Sequence, residues 1–236
     1  MRIHLPLLLL IPGMLFLSCT KEEWTRPVKV AFSFSMDGME STSGKKSQTY
    51  LEFHEGKMNI SQISFEGYRE TGPNVFFDSD FESPVLADLA TVSSEPPVVF
   101  DIPQGIYDHI NITLELDAEK QPFSLELRGV YHSPNPHKGD IPVIFTLDLP
   151  EKIEVNPRPS AETGEIAFVK DRHNEIRIHL HTGILFQLIY SAMLESADVS
   201  GTEENPCIVI SGVENENIYL LIMNRLEKAT EGILMH

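Results

Sequence analysis

Val98-Val99-Phe100-Asp101-Ile102-Pro103-Gln104-Gly105-Ile106-Tyr107-Asp108-His109-Ile110-Asn111-Ile112-Thr113-Leu114-Glu115-Leu116 is the stretch that decides the fold. Proline has no N–H to give to a sheet ladder, so a strand ends at Pro103. Gln104-Gly105 supplies a tight turn, at which glycine has the conformational freedom that a turn needs. Beyond it apolar and polar residues alternate, the period of a half-buried strand. Ile106, His109 or Ile110, Ile112, Leu114 and Leu116 supply its inward face. Tyr107, just after the turn, reads as a packed corner residue rather than a stacking platform.

The same period extends to both sides. Val28–Ser35, Thr49–His54 and Met58–Tyr68 read as strands, the last two joined by a hairpin turn at Glu55-Gly56-Lys57. The alternation slips once between Ile60 and Ile63, which predicts a bulge. Residues 69–97 read as mostly irregular, with one helical turn over Val85–Leu89. Phe123–Tyr131, Ile141–Leu149, Ile153–Val155, Ile166–Val169 and Glu175–His181 continue the β character, punctuated by prolines. Helical spacing appears over Ile184–Glu195 and Glu216–Thr230. Together these predict a mainly β protein, an antiparallel β-sandwich with one or two helices near the C-terminus. The pattern restarts near Asp117–Pro122. That gives an N-terminal part over 28–120 and a second β-rich part over 121–236, as two units or one continuous domain.

Residues 1–18 are of another kind. Arg2 is followed by an apolar run from Ile3 to Leu17, shorter than the roughly 20 residues of a spanning helix and broken by His4, Pro6, Pro12 and Gly13. Its length and its small-residue ending at Ser18 suit a secretory signal peptide. Leu17-Ser18-Cys19 resembles the lipobox of bacterial lipoproteins, with Phe16 at a position where leucine is usual. Cys19 is then the lipidated first residue of the mature chain, carrying diacylglycerol and acyl chains, and residues 19–27 are the lipid-anchored tether. A plain signal peptide cut elsewhere is the alternative. Thr20-Lys21-Glu22-Glu23 resembles the export tag that sends Bacteroidetes lipoproteins to the cell surface. The expected location is the bacterial outer membrane, facing outward.

The chain carries 35 acidic against 18 basic residues, a formal charge of −17. That excludes nucleic acid as a partner, since phosphate binding rests on clustered Lys and Arg. It also excludes attraction to anionic lipid heads, so membrane attachment falls to the acyl chains. With Cys19 acylated, Cys207 has no partner within the chain and reads as a small buried hydrophobe in a strand.

Four motifs in order carry a family resemblance. Val28–Phe34 opens as V-x-V-x-F, Ile60–Gly67 reads I-x-x-I-x-F-x-G, Ile102–Leu114 reads I-P-x-G-x-Y-x-x-I-x-I-x-L, and Phe123–Gly129 reads F-S-L-x-L-x-G. Over residues 28–150 the chain resembles the uncharacterised Bacteroidetes lipoproteins of the DUF4382 type. The resemblance implies a prealbumin- or immunoglobulin-like β-sandwich and brings no catalytic residues. The segment from Ile184 departs from it.

The sharpest chemical signal is His179-Leu180-His181. Residues two apart in a strand share a face, so both imidazoles can reach one metal ion. Asp171, His173 and Glu175 are candidates for further ligands, while Arg177 on the same face opposes a cation. The loop Tyr131–Asp140, with His132, His137 and Asp140, is a second candidate contact site. There is no G-x-S-x-G elbow and no Gly-rich phosphate loop, and carboxylate pairs in so acidic a chain point to no glycosidase. The expected function is a non-enzymatic, lipid-anchored binding or adhesion protein for a protein or glycan ligand. The alternatives are a pilus-like subunit that assembles by exchanging a strand near Val28–Ser35, and a metal-binding envelope protein using His179 and His181.

Overall fold

The computed structural model describes residues 26–37, 50–161, 164–202 and 205–235. The signal peptide, Cys19, Lys21-Glu22-Glu23 and most of the tether lie outside the described residues. Six strands come first: β1 (Pro27–Met36), β2 (Leu51–Arg69), β3 (Val75–Asp88), β4 (Ser93–Glu95), β5 (Val98–Pro103) and β6 (Gly105–Leu116). Six more follow: β7 (Leu125–His132), β8 (Asp140–Leu147), β9 (Glu151–Val155), β10 (Arg158–Pro159), β11 (Ile166–Phe168) and β12 (Glu175–Leu180). Helices α1 (Thr182–Leu185) and α2 (Ser191–Glu195) precede β13 (Ser200–Thr202) and β14 (Asn205–Ile210). Helices α3 (Glu216–Met223) and α4 (Leu226–Ala229) lead into β15 (Thr230–Met235). The protein is mostly β, 57% strand against 11% helix, as the alternation predicts.

The strands form two sheets. The smaller runs β10-β15-β12-β1-β5. The larger runs β11-β6-β2-β7-β8-β14-β13, with β3 and β4 beside β2 and β9 beside β6. Most ladders are antiparallel, but β1–β12, β10–β15 and β14–β8 are parallel. Alternation sets which face is buried and is silent on direction, so it does not mark out the three parallel pairs in this mainly antiparallel fold. β1 pairs β12, and β2 pairs β7, so strands from either side of Asp117–Pro122 share both sheets.

Their inner faces meet in one hydrophobic cluster. Val30, Phe32, Phe34, Ile176, Ile178 and Leu180 point in from the small sheet, and Ile63, Phe65, Ile112, Leu114, Leu127 and Phe145 from the large one. A chain of rings crosses the core: Phe32–Phe100 at 5.2 Å, Phe100–Phe77 at 5.0 Å and Phe77–Phe65 at 5.1 Å between centroids. Phe186, after α1, packs on Phe53 and Phe145, and Tyr219 of α3 stacks on Phe145.

Three local expectations are overturned. Glu55-Gly56-Lys57 is not a turn: β2 runs unbroken from Leu51 to Arg69. Gly56 serves close packing instead, because a Cβ there would stand 2.7 Å from Met36 Sδ and 3.1 Å from Leu127 Cδ2. Residues 75–88 are strand rather than irregular chain or a helical turn, with Val85 and Ala87 buried. The two C-terminal helical segments are each split, at 186–190 and at 224–225, and Thr230 already belongs to β15. The bulge expected between Ile60 and Ile63 is present, with the register shifting at Ile60/Gln62 towards both β3 and β6.

Candidate functional site

His179 and His181 lie on the outer face of the small sheet. Parallel pairing sets Ser35 of β1 beside His179, and antiparallel pairing sets Glu231 of β15 on its other side. One step on, β1 brings Asp37 towards His181. Asp37 Oδ1 stands 2.9 Å from His179 Nε2 and 3.3 Å from His181 Nδ1. The ring centroids of His179 and His181 are 4.5 Å apart. His179 Nδ1 lies 2.8 Å from Ser35 Oγ, and His181 Nε2 lies 2.9 Å from Glu231 Oε2. The Gly183 N–H reaches Asp37 Oδ2 at 3.5 Å. The hydrogen bond from His179 and the charges of both imidazoles hold the Asp37 carboxyl below its ordinary range, against desolvation that pushes it up.

Among the described residues, Asp37, His179 and His181 are the one group of three His, Cys, Asp or Glu side chains close enough to hold a metal ion. The two histidines were visible in the sequence; the acidic partners expected for them are not the ones present. Glu175 accepts a hydrogen bond from Ser33 and pairs with Arg177 at 2.9 Å and His173 at 2.8 Å, so these groups are engaged with one another. Arg177, expected to oppose a cation, has its charge met by Glu175. Asp171 sits in a turn at φ 62°. His181 and Glu231 also stand in the wall of a cleft of about 540 Å³, together with Glu154, Arg158, Ile184 and Lys228.

The Tyr131–Asp140 loop forms no such cluster. His132 pairs with Asp140 at 2.8 Å, and this carboxylate raises the imidazole above its ordinary value. Lys138, Ser133 and Tyr131 converge on Glu195 of α2, and their hydrogen bonds hold its carboxyl down at about 2. The loop is thereby fastened to α2. Cys207 is half-buried in β14, and burial pushes its thiol up, which suits an inert side chain.

The outer face of the large sheet carries a feature the alternation did not single out. Tyr68 of β2 lies opposite His109 of β6 and stacks on it, with centroids 4.1 Å apart and planes 15° apart. Phe76 of β3 meets Tyr68 edge-on at 5.5 Å and is 58% exposed. Glu66 and Asn111 stand opposite each other in the neighbouring row, and Glu66 Oε2 accepts hydrogen bonds from Asn111 Nδ2 and the Tyr68 hydroxyl. Glu66, Asn111, Thr113, Glu154 and Asn156 line a shallow cleft of about 180 Å³ beside the rings.

No protein-family model, curated protein or solved structure matches the chain. Among the described residues no helix is long and apolar enough to cross a membrane.

Proposed function

We propose that this protein is a non-enzymatic, lipid-anchored lipoprotein of the bacterial outer membrane that binds a glycan on the outer face of its large sheet. The observation that carries the glycan reading is the Tyr68–Phe76–His109 group beside Glu66 and Asn111. Exposed rings offer apolar faces to the C–H surface of a sugar, while a carboxylate and an amide at their edge accept from and donate to hydroxyls. The adjoining cleft of about 180 Å³ is lined by Asn111, Thr113, Glu154 and Asn156, whose polar atoms can meet sugar hydroxyls. The strong negative charge favours a neutral, hydroxyl-rich ligand over an anionic one.

The anchoring part of the reading rests on the leader ending at Cys19, on Lys21-Glu22-Glu23 and on the resemblance to the DUF4382-type lipoproteins of Bacteroidetes. The pilus-like alternative finds less support. β1 lies between β5 and β12, and its donation to a neighbour would remove Val30, Phe32 and Phe34 from the core.

Two readouts on cells expressing the full chain test the proposal. Labelled palmitate enters the wild type and not Cys19→Ala, and the variant leaves the membrane fraction. The detergent-extracted wild type is retained on an immobilised neutral polysaccharide and released by free sugar. Equal labelling of Cys19→Ala ends the anchor, and passage through every neutral glycan tried ends the glycan reading.

A further inference from the structure

We infer that Asp37, His179 and His181 form a two-histidine, one-carboxylate site for a divalent transition ion, with zinc the best fit to the donors. One donor atom from each residue lies within 4.8 Å of the others. Ligands bound at about 2.0–2.1 Å around a tetrahedral ion stand about 3.3 Å from each other. Asp37 Oδ1 already lies 2.9 Å from His179 Nε2 and 3.3 Å from His181 Nδ1. Two of the three donor separations are thus already close to those around a bound ion.

The outward-turned atoms strengthen the case. A metal-binding imidazole gives its second N–H to an orienting partner, which fixes tautomer and ring plane. His179 has Ser35 Oγ at 2.8 Å from Nδ1, and that hydroxyl belongs to a residue only 6% exposed. His181 has the Glu231 carboxylate at 2.9 Å from Nε2, the carboxylate–histidine pairing found behind many metal ligands. Asp37 has the Gly183 N–H on its other oxygen. Each of the three ligands is therefore held from behind, and the remaining donors face one another.

His179 lies in β12, and Asp37 and His181 directly follow the ends of β1 and β12, so the pairing of these strands sets where the three ligands stand. Three protein donors leave the rest of the coordination shell to water or a small ligand, and the cleft lined by His181 and Glu231 gives solvent access. The donor set, two nitrogens and one oxygen, selects a transition ion over calcium or magnesium, which take oxygen ligands.

This inference does not rest on the glycan reading: the ligands stand on the small sheet and the rings on the large one, although Glu154 borders both clefts. The test uses untagged full-length protein, extracted in detergent, stripped with a chelator and titrated with zinc chloride in a calorimeter. One Zn²⁺ per chain is expected, with a dissociation constant of about 10 µM or tighter. His179→Ala/His181→Ala abolishes the uptake, and Glu231→Gln weakens it by about 10-fold through the lost orienting contact. His132→Ala leaves it unchanged. Cobalt substituted into the wild type reports on geometry whatever the variants do to folding. It should give the intense visible bands of four-coordinate Co²⁺, and zinc should bleach them. Absence of saturable binding by the wild type, or equal affinity in a folded double variant, overturns the site.

Discussion

Tyr107 shows how a single residue is read correctly from its neighbours. It is 2% exposed, its ring packs on Phe168, and its hydroxyl donates to the Pro103 carbonyl at 2.6 Å. Burial pushes its phenol up to about 12, with Arg69 pulling the other way. Tyr107→Phe keeps the packing and leaves the carbonyl without its donor. Chemical denaturation is expected to show a loss of about 1 kcal/mol with an unchanged m-value. The histidine pair was legible for a similar reason, since a spacing of two in a strand is a local fact. Asp37 and Glu231 were not. They stand 142 and 52 residues from His179, and reaching them requires the parallel β1–β12 register and the β15 pairing, neither of which alternation encodes. The grouping of Tyr68, Phe76 and His109 was hidden likewise. They come from three strands, and cross-strand pairing brings them together.

At the scale of elements, burial pattern was easier to read than continuity. The strand pair around Glu55-Gly56-Lys57 looked like a hairpin because glycine between charges is a turn signal. The same glycine also fits where two layers pack closely, and the sequence does not separate these uses. Over 75–88 the inward residues Phe77, Phe81, Val85 and Ala87 do alternate, but Asp78, Asp80 and Glu82 on the outer side gave the stretch a loop-like composition. β1 offers the element-level prediction. It is flanked by β5 and β12 and carries four core side chains, Val30, Phe32, Phe34 and Met36, so amides from Val30 to Phe34 should be among the slowest to exchange with deuterium. Rapid exchange there, with β12 protected, would favour a strand built for donation.

At the scale of the whole molecule, two sheets around one core present two outer faces with different chemistry. The small sheet bears the Asp37–His179–His181 group and the large sheet bears the rings of Tyr68, Phe76 and His109. Fold class was legible because alternation reports burial, and the strongly acidic surface was legible from composition. Which residues meet on each outer face was not, because that depends on strand order in both sheets. The proposed anchor at Cys19 concerns address, and the proposed glycan face concerns what the protein binds there. Calorimetry with the glycan retained best by the wild type tests that statement most directly. Removing a central aromatic anchor should cost about 2 kcal/mol, so Tyr68→Ala is expected to raise the dissociation constant by about 30-fold. His179→Ala should leave it unaltered. An unchanged dissociation constant in a folded Tyr68→Ala protein would contradict the account.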